Sequence, residues 1–217
     1  MSVLLAIETS SDIYRVVLGR EGGAIFDSET CSGSRPSRDL AALVALGLAS
    51  ARAHVSDVRA IILNIGPGGL SYVRSGVSFA NALAFSIGIA IFPFTSFQIV
   101  AEQSQKLTSL PVIYAIPAAS DEAYVALLRG RYVKMMRFGS LAPLIQEVSA
   151  GLTEIAVVGR IRDRVSSLLP GLRVVDHGLE KPDAAVLLQM GCNAVEQNGA
   201  SVKQASPLNE QAAIFYE

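Results

Sequence analysis

A glycine-rich turn between an apolar run and a helix-like segment is the feature that most limits how this chain can fold. The turn is Gly66-Pro67-Gly68-Gly69; residues 61–65 precede it, and Leu70-Ser71-Tyr72-Val73-Arg74 follows. Glycine accepts positive φ, and proline fixes φ between the glycines. The pattern predicts a strand, a tight turn and a helix whose first amides could bind an anion. The alternative is a turn that only packs tightly, because the glycine spacing fits neither a P-loop nor a dinucleotide-binding motif.

Small residues recur along the helix predicted after the turn. Gly76, Ala80, Ala84 and Gly88 are spaced four apart, which places them on one stripe of a helix. The segment is apolar nearly all round, so it must be covered on more than one side. Two interpretations remain open, which are packing against a sheet of the same chain and contact with a partner helix. The interface hypothesis names these residues: Val73, Arg74, Gly76, Val77, Ala80 and Ala84.

Composition limits the classes of protein. Of 217 residues, 51% are hydrophobic, which is enough for one domain or two small lobes. The net charge of −1 gives no overall basic field for autonomous nucleic-acid binding, and the densest basic cluster, Arg160, Arg162 and Arg164, reads more simply as a solvated helix start or loop. Two cysteines form neither a disulfide framework nor a metal motif, and no charged-then-apolar leader opens the chain. We expect a cytoplasmic protein without metal or cofactor.

The uncharged stretch 75–101 is long enough to raise the question of a membrane span. It contains several polar residues and Pro93, so a buried helix followed by a buried strand fits it better.

Apolar runs and turn residues predict an alternating α/β pattern in each half of the chain. Predicted strands are 3–7, 13–18, 24–28, 58–65, 89–94, 111–116, 123–129, 131–137, 155–158 and 172–175. Predicted helices are 38–53 (capped by Ser37), 71–87, 97–106, 141–150, 161–169 and 184–197. Each half opens with strands and continues as helix and strand, which predicts an antiparallel opening with parallel additions. We therefore expect two related lobes, residues 1–108 and 109–217.

Several motifs together resemble the TsaB (YeaZ) family. They are Leu4-Leu5-Ala6-Ile7-Glu8-Thr9-Ser10, Ser37-Arg38-Asp39-Leu40, Gly66-Pro67-Gly68 with Arg74-Ser75-Gly76, Glu122-Ala123-Tyr124 within 115–127, and the Pro-containing end 207–216. Their order and spacing are similar to the family's over most of the chain, most clearly in the first lobe. Family members are often labelled M22 glycoproteases.

The resemblance implies two ribonuclease-H-like lobes of the actin/Hsp70/sugar-kinase (ASKHA) type. It implies a subunit without intrinsic activity in the machinery that places a threonylcarbamoyl group on the adenosine beside the tRNA anticodon. The implied partners are a TsaD-like catalytic subunit, a TsaE-like ATPase and, for the isolated chain, a second copy. The chain would meet tRNA only indirectly and would not bind a membrane. The resemblance also favours the interface hypothesis for the small-residue helix.

The chain departs from the family pattern at three places. The usual loop Gly-Pro-Gly-Ser-Phe-Thr-Gly-Leu-Arg is here the nine residues 66–74, Pro36 stands where a histidine is common, and Pro117-Ala118-Ala119 replaces an Asp-Ala-Arg step. These changes bear on loop-dependent activity and leave the scaffold intact.

Candidate chemistry is limited to one strand end and the glycine turn. In the ASKHA superfamily the strand end occupied here by Glu8, Thr9 and Ser10 positions phosphate or metal, so a vestigial nucleotide site is one hypothesis. The anion or nucleotide-like set is Glu8, Thr9, Ser10, Gly66, Gly68 and Gly69. The alternative is a β-turn whose hydroxyls bond local amides. No Ser–His–Asp or Cys–His set and no paired histidine ligands are recognised, so we name no catalytic or metal residue. The alternative functions are an ATP-dependent kinase or hydrolase of the same fold, or an M22-type glycoprotease.

Overall fold

The computed structural model describes residues 2–20, 23–30 and 37–208. Two compact units are present. The described residues of Met1–Ser96 and Pro182–Pro207 form the first, and those of Phe97–Lys181 and Leu208–Glu217 form the second. Pro36, and the family-like C-terminal end after Leu208, lie outside the described residues.

The first unit contains a five-stranded mixed sheet. Its strands are β1 (Val3–Glu8), β2 (Arg15–Arg20), β3 (Gly23–Asp27), β4 (Val58–Asn64) and β5 (Ala90–Phe94). They lie in the order β3-β2-β1-β4-β5, antiparallel from β1 to β3 and parallel from β1 through β4 to β5. Short connections allow the antiparallel pairs, whereas β4 and β5 each need a helical crossover.

Helices α1 (Leu40–Ser50) and α2 (Leu70–Ile87) supply these crossovers and cover one face of the sheet. Helix α1 begins two residues later than predicted, because the Asp39 carboxylate, and not the predicted Ser37 cap, accepts the Ala42 amide. At the carboxyl end of α1, the Arg20 side chain donates a hydrogen bond to the Ala51 carbonyl, which has no partner within the helix.

Helix α6 (Ala184–Glu196) packs against β1, β2 and β4 of this first sheet. Two glycines permit the close approach. A Cβ on Gly191 would lie 2.4–2.5 Å from side-chain atoms of the fully buried Ile62, and one on Gly19 would lie 2.7 Å from Leu188. The sequence-based division at residues 108 and 109 assigned α6 to the second lobe. The structure differs, because the apolar side of α6 covers the first sheet.

An ion network also holds the start of α6. Arg15 on β2 contacts Asp27 on β3 at 2.5 Å and the α6 N-cap Asp183 at 3.1 Å. The other Asp183 oxygen accepts the amides of Ala185 and Val186. Burial opposes ionisation of Asp183, but these amides and the Arg15 guanidinium outweigh it and lower the pKa of the carboxyl.

The second unit repeats the strand order of the first. Its strands are β6 (Val112–Pro117), β7 (Glu122–Arg129), β8 (Tyr132–Ser140), β9 (Glu154–Val158) and β10 (Arg173–Asp176). They lie in the order β10-β9-β6-β7-β8, with an antiparallel β6-β7-β8 meander and β9 and β10 added in parallel. The predicted α/β class with two related lobes is confirmed.

Helices cover both faces of the second sheet. Helices α4 (Leu141–Ser149) and α5 (Arg162–Ser167) pack on the face that carries Ile113 and Ala115. Helix α3 (Ser96–Ser104), from Phe97 onward, packs on the other face. Helix α3 follows β5 of the first unit, and α6 follows β10 of the second, so the helix after the last strand of each sheet packs in the other unit.

We expect Gly191→Ala to destabilise the protein by about 1–3 kcal/mol, because the new methyl overlaps Ile62 in a packed core. This loss would exceed the roughly 1 kcal/mol that alanine gains over glycine in a helix. Urea unfolding measures it. Asn193→Ala, at an exposed position of the same helix, is the control, and adding Ile62→Val should recover part of the loss. A net gain in stability for Gly191→Ala would contradict the packing described.

We expect Asp183→Asn to cost less stability in acid than at neutral pH. A carboxyl whose folded-state pKa is lowered stabilises the fold above its ordinary value of 3.8, and this contribution is lost as the pH falls through the lowered value. Urea unfolding of wild type and variant at pH 7 and near pH 3 tests this. Asp39→Asn changes an N-cap with no ion pair among the described residues and serves as the control. A wild-type-to-variant difference that grows in acid would count against the prediction.

Candidate functional site

The glycine turn lies against the carboxyl end of β1. Gly66 has a φ of +95°, which favours glycine. A Cβ on Gly68 would lie 2.4 Å from the Ser10 carbonyl oxygen, and the Gly69 amide donates to that oxygen at 2.9 Å. Glycine is therefore required for backbone conformation at residue 66 and for close approach at residue 68.

Amides in this region bond within the chain. The Ser10 amide donates to Glu8 Oε1 at 2.5 Å, the Gly66 amide to Asn64 Oδ1 at 2.8 Å, and the Gly69 amide to Ser10. A carboxylate thus occupies one of the positions that an anion would need. This geometry favours the tightly packed turn over the anion or nucleotide-like site, which stays a prediction.

A buried polar network joins the turn to three elements. Glu8 at the end of β1, Asn64 at the end of β4 and Ser96 at the start of α3 are all buried. The Asn64 amide donates to Glu8 Oε2 at 2.5 Å and to Ser96 Oγ at 2.9 Å, and Ser96 donates to the Pro67 carbonyl at 2.7 Å. Asn64 and Ser96 were not among the candidate site residues predicted from the sequence. The available signal was a polar amide at the carboxyl end of a buried strand.

The small-residue stripe of α2 faces the interior of the first unit. Gly76 abuts Thr9, where a Cβ would lie 2.2 Å from the Thr9 hydroxyl oxygen. Gly76 and the four apolar residues of the interface hypothesis are buried: Val73, Val77, Ala80 and Ala84. These five residues pack against their own chain because the helix crosses directly over β1 and β4. A partner could therefore reach α2 only from its opposite face.

The opposite face of α2 is exposed and almost uncharged. Its exposed residues are Leu70, Ser71, Arg74, Ser75, Ser78, Ala82, Phe85 and Ser86. Phe85 is 90% exposed and Leu70 57% exposed, and Arg74 is the only charge. We call this set the outer face of α2. It combines small side chains with one large exposed ring, and Arg74 is the only one of its residues included in the interface hypothesis.

Other candidate groups serve local structure. His54 bonds Ser56 within a short turn, Arg162 pairs with Asp176 and Glu180, and Arg164 pairs with Asp121. Within residues 2–20, 23–30 and 37–208, no three His, Cys, Asp or Glu side chains are grouped closely enough to hold a metal ion.

No helix in the described part of the chain has the length and hydropathy needed to cross a bilayer.

We expect Asn64→Ala to destabilise the protein by about 1–3 kcal/mol, because it leaves the buried Glu8 carboxylate without its amide donor. Thermal or urea unfolding gives the value. Asn81→Ala is the matched control, since the half-buried Asn81 side chain bonds, within the described residues, the Ala205 backbone and no charged group, so its loss should cost about 1 kcal/mol. A loss no larger than that of the control would show that the network does not stabilise the turn.

Comparison with known proteins identifies the family. Residues 34–162, over half of the chain, match the family model described as TsaD, tRNA N6-adenosine threonylcarbamoyltransferase. A curated relative, the tRNA threonylcarbamoyladenosine biosynthesis protein TsaB of Haemophilus influenzae, is 28% identical over 122 residues. That match covers 56% of this chain and 51% of the relative, so it spans about half the length of the curated relative.

Two solved structures share the fold. One is described as an uncharacterized protein with similarity to peptidase YEAZ from Pseudomonas aeruginosa, with a TM-score of 0.77 and 24% identity over 96% of this chain and 99% of that one. The other is YeaZ from Pseudomonas aeruginosa, with a TM-score of 0.75 and 24% identity over 96% of this chain and all of that one. These two structures show that the chain has the YeaZ fold, and the match to residues 34–162 establishes that it belongs to the TsaD family, described as tRNA N6-adenosine threonylcarbamoyltransferase.

Proposed function

We propose that this chain is a non-catalytic subunit of the tRNA N6-threonylcarbamoyladenosine machinery that binds and supports a TsaD-like catalytic subunit. The family match and the name of the curated relative, a tRNA threonylcarbamoyladenosine biosynthesis protein, support this function. The proposal includes the cytoplasmic location expected from the sequence.

The outer face of α2 is the observation that carries the proposal. An exposed phenylalanine ring remains in contact with water, and its burial in a complex is favourable. The surrounding serine and alanine side chains are short, so a second helix can approach the α2 backbone closely. Arg74 is the only charge that must be desolvated or paired there. Aromatic side chains, phenylalanine included, are enriched at the cores of protein interfaces, where a few residues supply most of the binding energy.

The glycine turn supports a scaffolding function over chemistry. Its amides at Gly66 and Gly69 bond internal acceptors, and Glu8 lies where a nucleotide phosphate would be repelled. The alternative of an ATP-dependent kinase or hydrolase is therefore not favoured. The M22-type glycoprotease alternative is not favoured either, since the described residues include no group of side chains suited to a catalytic metal. The same proposal includes a TsaE-like ATPase as a further partner, and a second copy of this chain on the outer face when the TsaD-like subunit is absent.

We expect Phe85→Asp to weaken binding to the TsaD-like subunit of the same organism by about 30-fold or more, as for loss of a hot-spot residue worth at least about 2 kcal/mol. Co-purification and titration calorimetry measure the effect. Leu107→Asp is the control, because it places the same acid at another exposed hydrophobic position, in the second unit. Size-exclusion chromatography of the isolated variant tests the second copy in the same experiment.

Two outcomes would decide against the proposal. Failure of the wild-type chain to bind the TsaD-like subunit of its own organism would remove the function. Tight, stoichiometric binding of ATP by the isolated chain would instead favour the kinase or hydrolase alternative.

A further inference from the structure

We propose that the tip of the β7–β8 hairpin in the second unit binds RNA directly, with its cations on backbone phosphates and Tyr132 stacked on an unpaired base. We call Arg129, Arg131, Tyr132 and Lys134 the hairpin tip. The inference rests on the proposed function, and it departs from the expectation that the chain meets tRNA only indirectly.

The hairpin brings these four side chains together. Arg129 ends β7 and pairs with Tyr132, which begins β8, across a tight turn at Gly130 with a φ of +54°. The three cationic residues are exposed, and Tyr132 is 63% exposed. Lys134 Nζ lies 5.2 Å from the centre of the Tyr132 ring. The tip therefore presents an aromatic ring within a group of positive charges.

The cations of the hairpin tip differ from other arginines of the second unit in their ion pairing. Elsewhere in the second unit, Arg137, Arg162, Arg164 and Arg173 each pair with a carboxylate. Arg129, Arg131 and Lys134 have no ion pair among the residues that the structure describes. Three unpaired cations within a few residues are suited to a polyanion, whose phosphates release counterions when they are bound.

Tyr132 adds a preference for single-stranded segments. Proteins that bind unpaired nucleotides combine a basic surface with aromatic side chains on which bases stack, and every base offers such a face. A tRNA supplies unpaired bases in its loops and phosphates on both sides of them. The tip is a small footprint, so we expect it to add affinity to a larger complex and not to bind tightly alone.

Edge protection is the competing explanation. β8 is an edge strand, and lysine or arginine on an edge prevents pairing with other chains. This explanation accounts for Arg131 and Lys134. It does not account for Arg129, which lies on the inner strand β7, or for an exposed tyrosine that would itself promote association.

Fluorescence anisotropy tests the inference, with a labelled, unmodified tRNA transcript that carries adenosine after the anticodon. Binding is measured for the chain alone and for its complex with the TsaD-like subunit, over a range of salt. We expect the triple variant Arg129→Glu/Arg131→Glu/Lys134→Glu to bind the tRNA transcript with roughly ten-fold or more lower affinity. The slope of log affinity against log salt concentration should become less steep by about 2–3. The control Arg52→Glu/Arg59→Glu/Lys203→Glu makes the same charge change on exposed residues of the first unit.

Substitutions of Tyr132 separate stacking from charge and from edge protection. Tyr132→Ala should lower the affinity for the tRNA transcript about five-fold or more and change the affinity for a fully paired RNA duplex little. Tyr132→Phe keeps the ring and should retain binding. Monodisperse samples by light scattering exclude aggregation as the cause. All variants should still co-purify with the TsaD-like subunit, so that loss of RNA binding is distinguished from loss of the proposed function.

The inference is overturned if the triple variant and its control bind the tRNA transcript equally, alone and in complex. It is also overturned if the triple variant loses the TsaD-like subunit but keeps RNA affinity, which would assign the tip to an acidic protein surface. A third result is aggregation of the triple variant while its monodisperse fraction keeps the wild-type RNA affinity. That result would overturn the inference and assign the hairpin tip to edge protection.

Discussion

The hydrogen bonds of the Asn64 side chain are the interactions on which the first unit depends. Its amide and carbonyl together bond Glu8 at the end of β1, the Gly66 backbone in the turn and Ser96 at the start of α3. Burying a carboxylate costs free energy unless hydrogen-bond donors surround it. The ends of β1 and β4, the turn and the start of α3 must therefore be in place together for Glu8 to be buried. The turn that results starts α2 at Leu70 and sets which side of the helix meets the sheet. The exposed position of Phe85 is a consequence of that orientation.

Secondary structure was predictable because its signals are local. Apolar runs ended by glycine or polar residues located all ten strands, and the antiparallel openings followed from the short connections that precede β2, β3, β7 and β8. The side of α2 that packs inward was not predictable, since a stripe such as Gly76, Ala80 and Ala84 suits a sheet as well as a partner helix. Only the position of Thr9 beside Gly76 decides between them. The placement of α6 was equally inaccessible, because nothing near Gly191 in the sequence indicates that Ile62 lies opposite.

The two surfaces proposed for binding differ in physical character and lie on different units. The outer face of α2 is almost uncharged and offers apolar area, so it suits a protein surface and should depend little on salt. The hairpin tip is cationic and offers one ring, so binding there should weaken steeply as salt rises. Salt dependence therefore distinguishes which surface dominates a given association.

The exchange of α3 and α6 has a consequence for synthesis on the ribosome. The second unit is nearly continuous in the chain, from Phe97 to Lys181, whereas the first waits for residues 182–207. The strands β1 to β5 therefore emerge with one sheet face uncovered, including Ile62, and remain so until α6 has been made. The amino-terminal half is synthesised first but completes its core last. During that interval its bare sheet face is the part of the nascent chain most in need of a chaperone.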